Sequence, residues 1–315
     1  MIVAVDARAL SAGRGIARYT RAMTEALAAA FPADEYRLVT SRVGRLVRGL
    51  TAGGGADVAW LPAPAPVRVG PGRYVLTIHD LSWEERPHDF TAYERAWHAA
   101  ARVRRLARGA ARVVVDSRTT QQSLVARWGI GAAVVAPGVT RPSGAPAANR
   151  RGRYLLAVGA LEPRKAPELL LGAYARARAR GLRADLVFAG TGRRARALAG
   201  RPGVHLAGTV SDEELDTLYA HALALVHPAW LEGYGLPPLE ALVRGTPAIV
   251  ADLPVYDETL GEAALRFPPG DAAALAEALL RVEDEHDALL AAAPSPPTWD
   301  EAARALRAVL AEAAR

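Results

Sequence analysis

The chain has 315 residues, 51% of them hydrophobic, with no cysteine and a formal net charge of +6. That length suits two domains, each able to bury a core, and the missing thiols exclude disulfides and thiolate metal sites. The charge is uneven: residues 1–150 carry 21 arginines against 11 acids, and the remainder 18 basic against 22 acidic residues, which predicts two units with different partners.

The opening residues, MIVAVDAR, lack the basic region and cleavage site of a leader. They read as a first strand, Ile2–Val5, and no apolar run reaches the ~18 residues of a membrane span. Both features point to the cytoplasm. Helical spacing follows over Gly15–Ala30 (Ile16, Tyr19, Met23, Leu27). Strands are predicted at Tyr36–Val39, Val58–Leu61, Tyr74–Ile78, Arg112–Val115 and Val134–Ala136, with helices over Ala92–Arg108 and Thr119–Arg127. Residues 137–153 are rich in Pro, Gly, Ala and Arg without apolar period, and read as a linker. The alternation then restarts. Strands are predicted at Tyr154–Val158, Asp185–Ala189, Val204–Leu206, Ala224–Val226 and Ala248–Val250. The helices are Pro167–Arg180, Arg193–Ala199, Asp212–Ala222, Pro237–Arg244, Asp271–Arg281 and Asp300–Ala314. Strands alternating with helices imply parallel sheets covered on both faces, in two doubly wound units. Ligands in such folds sit beyond the carboxyl ends of strands.

Four segments carry candidate chemistry. In EGYGLPPLEAL, residues 232–242, Gly233 and Gly235 permit tight backbone turns and Pro237-Pro238 suits a first helical turn. Glu232 and Glu240 flank that turn and can accept hydrogen bonds from hydroxyl groups, although Glu240 could equally serve the helix dipole. In GALEPRKAP, residues 159–167, Arg164 and Lys165 fall in a strand-to-helix loop, where adjacent cations can neutralise a departing diphosphate or be plain solvated charge. Of the 39 basic residues, Lys165 alone is a lysine, which marks a place for a compact ammonium rather than a planar fork. His79-Asp80 ends the strand Tyr74–Ile78, where a histidine can act as acid, base or hydrogen-bond donor. The other histidines lack ligand spacing, and no H-x-x-x-H or D-x-D pattern appears, so no metal site is expected.

Two glycine loops remain. Gly13-Arg14-Gly15 precedes the first helix and could approach a phosphate. Gly190-Thr191-Gly192-Arg193-Arg194-Ala195 fits a dinucleotide fingerprint, which raises a nicotinamide-dependent oxidoreductase as an alternative. The next strand, however, ends in Ala-Gly-Thr with no acid to hold a ribose. Asp212 reads instead as part of a helix start, Ser211-Asp212-Glu213-Glu214.

Together these residues resemble the retaining glycosyltransferases of family 4, which have the α/β GT-B fold of two doubly wound Rossmann-like domains facing across a cleft. Glu232 and Glu240 match the family's paired-glutamate signature and Arg164-Lys165 its basic pair, while GIARYTRAM and LTIHDLSWEERP resemble a mannosyltransferase-like branch. The resemblance spans nearly the whole chain, which is short for the family between Thr40 and Gly72. It implies an acceptor-binding domain over 1–140 with the C-terminal helix 300–315 packing back on it, and a donor-binding domain over 150–299. It further implies that Arg164 and Lys165 bind the donor diphosphate and that Glu232 contacts the sugar. Gly235 and Leu236 would touch sugar and phosphate through their amides, Glu240 would hold the ribose, and Val210 would lie near the base. Gly15 would approach the phosphate and His79 the transferred sugar.

The implied reaction moves a hexose, mannose from GDP-mannose in the first instance and a UDP-sugar in the alternative, to a glycan, lipid-linked or small-molecule acceptor. It needs no cofactor, metal or nucleic acid. The basic first half, above all the arginine-rich stretch 98–112, also fits peripheral contact with an anionic membrane.

Overall fold

The computed structural model describes residues 1–11, 14–39, 55–66, 72–142 and 154–315. Gly13, most of the shortened span between Thr40 and Gly72, and the larger part of the linker at 137–153 lie outside the described residues. The chain divides into two compact units, Met1–Gly138 with Pro297–Arg315, and Val139–Pro296.

The first unit holds β1 (Ile2–Asp6), β2 (Glu35–Val39), β3 (Val58–Leu61), β4 (Gly72–Ile78), β5 (Ala110–Val115) and β6 (Ala133–Val134). They form one parallel sheet in the order β2-β1-β3-β4-β5-β6. Alternate residues feed opposite faces. Val3, Val5, Val58, Trp60 and Val75 pack under Tyr19, Met23 and Leu27 of the helix Arg14–Ala30 and under Leu306 and Leu310 of the final helix, Trp299–Ala314. Ala4, Ala59, Leu61, Leu76 and Ile78 pack under Val103, Leu106, Leu124 and Trp128 on the other side. Covering both faces explains why these strands are nearly all apolar. The final helix starts at a capping box: the Glu301 N–H donates to the Thr298 hydroxyl (3.2 Å), and the Glu301 carboxylate accepts the Thr298 N–H (2.7 Å).

The helix predicted over Ala92–Arg108 is two helices, Ala92–Ala101 and Val103–Gly109, broken at Arg102 in the left-handed region with φ of 46°. Ala101 and Val103 are both buried. Residues two apart point to different sides of a straight helix, so the break turns both into the core.

The second unit holds β7 (Tyr154–Val158), β8 (Asp185–Ala189), β9 (Val204–Gly208), β10 (Ala224–His227), β11 (Ala248–Ala251) and β12 (Ala264–Phe267), again all parallel, in the order β12-β11-β10-β7-β8-β9. Strand β12 escapes the sequence reading because it is four residues long and includes Arg266, whose guanidinium reaches Asp252 (3.1 Å) and Asp257 (2.5 Å). The helix predicted over Asp271–Arg281 continues to Ala291. Val282 and Leu289 are buried along it, so its acidic stretch is the outer side of a packed helix.

The glycines of the apparent dinucleotide fingerprint have a packing role. A Cβ on Gly190 would lie 1.8 Å from the Gly159 carbonyl oxygen, and one on Gly192 would lie 2.4 Å from that of Leu161. Their absence lets the Gly159 N–H reach the Ala189 carbonyl and the Leu161 N–H reach the Thr191 carbonyl, both at 3.0 Å. The fingerprint therefore joins the loops that follow β7 and β8, and the helix beyond it, Ala195–Leu198, is only four residues long.

Candidate functional site

In the second sheet the strand order reverses between β7 and β10, and a doubly wound fold binds its ligand at that reversal, beyond the carboxyl ends. The two loops there hold the predicted residues. After β7 the chain makes a tight turn at Pro163–Lys165, closed by the Lys165 N–H on the Glu162 carbonyl and the Ala166 N–H on the Pro163 carbonyl, both at 2.9 Å. Ala166 then takes a left-handed conformation (φ 50°), strain that costs on the order of 1 kcal/mol and is common at functional sites. After β10, the Trp230 N–H donates to the Arg164 carbonyl at 3.0 Å. That bond ties one loop to the other.

Lys165 Nζ forms an ion pair with Glu232 Oε1. The same oxygen meets His227 Nε2 at 2.6 Å. His227 is the last residue of β10 and is buried. Burial first, then the Lys165 and Arg164 cations, push its pKa down against the pull of Glu232, so the imidazole is neutral and Nε2–H is the donor. Burial would raise the Glu232 pKa, but the Lys165 ammonium and the hydrogen bonds from His227 and Lys165 more than reverse this, leaving it far below the ordinary carboxylate range. Glu232 Oε2 has no hydrogen-bond partner among the described residues, and the side chain is 12% exposed. One oxygen is thus saturated and the other is open to a ligand hydroxyl.

Gly235 sits at φ 87°, and a Cβ there would meet Tyr256 Cε1 at 2.6 Å. The helix that follows is Leu236–Leu242, with Leu236 half-buried. Glu240 lies inside it, buried, and accepts the Tyr219 hydroxyl at 2.9 Å. Val210 packs on the cluster that contains Tyr219. Ser211 caps the helix Asp212–Ala220 with Glu214, and this accounts for the acids in that segment. The Tyr256 hydroxyl is buried without a partner, and burial together with Glu232 raises its pKa well above the phenol range.

The structure therefore brings Arg164, Lys165, Glu232, Gly235, Leu236, Glu240 and Val210 into one unit. Gly15 and His79 belong to the other, at the start of the helix Arg14–Ala30 and just after β4. His227 and Tyr256 escaped the sequence reading. His227 could have been found: it stands at the carboxyl end of a strand, five residues before Glu232. Tyr256 gives no sequence signal, since the short helix that carries it, Val255–Thr259, is brought in by the fold. Among the described residues, no group of three or more His, Asp or Glu side chains is placed to hold a metal.

The second unit is thus a doubly wound α/β domain with paired cations and an ionised carboxylate in the loops at its strand reversal, where such folds bind ligands. Residues 143–311, more than half of the chain, match the family described as "Glycosyl transferases group 1", and the chain belongs to that family. It is similar to the O-antigen chain mannosyltransferase RfbU of Salmonella typhimurium, with 44% identity over 80 residues, 25% of this chain and 23% of the relative. It is also similar to the O-antigen chain mannosyltransferase B of Escherichia coli, with 33% identity over 141 residues, 41% of this chain and 36% of the relative. The chain thus spans about a quarter to a third of the length of these relatives. Among solved structures, WaaG, described as a glycosyltransferase involved in lipopolysaccharide biosynthesis, shares the fold. The TM-score is 0.67 at 16% identity, covering 96% of this chain and 94% of that one. Two Rossmann-like units in one chain are the GT-B architecture.

Proposed function

We propose that the chain is a retaining hexosyltransferase of family 4 that takes mannose from GDP-mannose and passes it to a glycan, lipid-linked or small-molecule acceptor. A UDP-sugar is the alternative donor. The observation that carries the reading is the carboxylate of Glu232. Lys165 and His227 hold it ionised through Oε1, so Oε2 is left for a sugar hydroxyl beside the Arg164-Lys165 pair. The mannosyltransferases among the relatives favour mannose.

In this mechanism the anomeric C–O bond breaks and its electron pair stays on the diphosphate. Arg164 and Lys165 meet that developing charge, which fixed cations can do without reorganisation. The acceptor oxygen attacks the same face of the oxocarbenium-like sugar, and its proton passes to the leaving phosphate. Glu232 orients the sugar rather than forming a covalent bond. Glu240 takes the ribose, the amides of Gly235 and Leu236 take sugar and phosphate oxygens, and Val210 borders the base. Gly15 and His79 are assigned to the donor as well. No metal is required.

A donor panel read by released nucleoside diphosphate tests this. Release from GDP-mannose, lost in both Lys165→Ala and Glu232→Ala while the fold is kept, is the expected result. Unchanged release in both variants overturns the site, and release from UDP-sugars alone overturns the donor.

A separate reading concerns peripheral membrane contact at the inner face. In the first unit, a cavity of about 620 Å³ is lined by five arginines, Arg95, Arg102, Arg104, Arg105 and Arg108, against one acid, Glu84. No helix of the described residues is long and apolar enough to cross a membrane, so any such contact would lie on the surface, through these arginines.

A further inference from the structure

His79 was expected to lie beside the transferred sugar, and both of its ring nitrogens are engaged. Nδ1 lies 2.7 Å from Asp116 Oδ2, and Nε2 lies 2.9 Å from the Pro62 carbonyl oxygen. A carbonyl oxygen only accepts, so Nε2 must carry a proton. Nδ1 faces a carboxylate, so a second proton sits between that pair. A histidine that donates from Nε2 cannot take a proton there. The imidazole therefore does not act as a general base through that nitrogen in this state.

The surroundings are built to hold this arrangement. Asp116 follows β5, Pro62 follows β3 and His79 follows β4, so three neighbouring strands converge on one ring at their carboxyl ends. The Tyr19 ring packs edge-on to His79 with centroids 4.6 Å apart, and the Thr120 hydroxyl reaches the His79 carbonyl at 3.4 Å. Asp116 is buried and its Oδ1 has no partner, although an unpaired buried oxygen costs about 1–3 kcal/mol. Its other oxygen meets the histidine, which supplies a reason for an acid there. The His79 side chain is still 20% exposed.

We propose that Asp116 is a positioning residue that stores His79 as a two-proton donor, with Nε2–H parked on the Pro62 carbonyl until a ligand oxygen replaces it. The oxygen is a sugar hydroxyl or a phosphate oxygen. This rests on the reading of His79 as a donor-site residue, whereas the proton count rests on geometry alone. Among the described residues, the charged groups facing the ring are Asp116 and Asp80; the Tyr19 phenol stays neutral, pushed well above its ordinary range by burial and by Asp116. Burial alone would lower the His79 pKa, but Asp116, Asp80 and the Pro62 carbonyl raise it overall.

The test is nitrogen NMR on the full chain with labelled histidine, the His79 signal being assigned by its loss in His79→Gln. Wild type is expected to show both ring nitrogens protonated at pH 7.5. In Asp116→Asn the ring titrates about one to three pH units lower, while the proton of its neutral form stays on Nε2. An unprotonated Nε2 at pH 7.5 in wild type overturns the proposal, as does an unchanged titration in Asp116→Asn. The wild-type spectrum alone decides the proton count, so a variant that fails to fold does not shelter it. The activity arm uses released nucleoside diphosphate. The alkaline limit in Asp116→Asn should move down with the titration, and His79→Gln, which keeps a donor, should retain more activity than His79→Phe. Expected spectra with no such activity change would refute the hand-off to a ligand and leave the stored charge intact.

Discussion

Lys165→Met removes one ammonium and keeps the length of its stem. Glu232 and Lys165 are 12% and 18% exposed, so the carboxylate left behind is largely out of water. Removing one partner of a buried pair costs about 3–5 kcal/mol. The His227 N–H remains on Oε1, however, and a hydrogen bond to a charged group retains about 1.5–3 kcal/mol. The two together predict a loss of roughly 2 kcal/mol at pH 8. His227 also loses one of the cations that depress its pKa, so that pKa rises, each pH unit being worth about 1.4 kcal/mol. A proton taken up by His227 pairs with Glu232, and that stabilisation is present at low pH and lost as pH rises through the new value. The deficit should therefore shrink to about 1 kcal/mol at pH 6. Urea unfolding of both proteins at pH 6 and 8, extrapolated to water, measures it. Equal deficits at the two pH values, or none at pH 8, would refute the shared-oxygen account of the site.

Other outcomes follow from the same geometry. Gly235→Ala places a Cβ 2.6 Å from the Tyr256 ring at φ 87° and should lower stability by about 1–3 kcal/mol, read by thermal unfolding. Because the Glu232 pKa is depressed, its contribution is present above the ordinary carboxylate pKa of about 4.3 and is lost as pH falls below it; Glu232→Gln should flatten that acid limb in a pH series of unfolding curves. Leu306→Ala opens the buried contact of the final helix with the first sheet and should cost about 2–5 kcal/mol, measured by denaturant midpoint. Vesicles containing anionic lipid should retain the wild-type chain at low salt and release it as salt rises, and Arg102→Glu with Arg105→Glu should abolish retention. Salt-independent retention would exclude the arginine cavity as the contact.

The alternation of strands and helices, its restart after the 137–153 linker, the loops that carry Arg164, Lys165 and Glu232 and the helix start before Glu240 were all readable in the sequence. The reason is local: apolar runs of four to six residues fix strands covered on both faces, and Gly and Pro fix the turns between them. The lone lysine among 38 arginines marked its own position. Tertiary structure decided what periodicity cannot carry. The break at Arg102 exists because Ala101 and Val103 both need the core, and the glycines at 190 and 192 allow the close approach of a neighbouring loop. His227 and Lys165 lie 62 positions apart in the sequence and share one oxygen of Glu232 because the sheet sets β10 beside β7. Sequence names the carboxylate; only the reversal of strand order decides that Lys165 and His227 meet on one of its oxygens and leave the other.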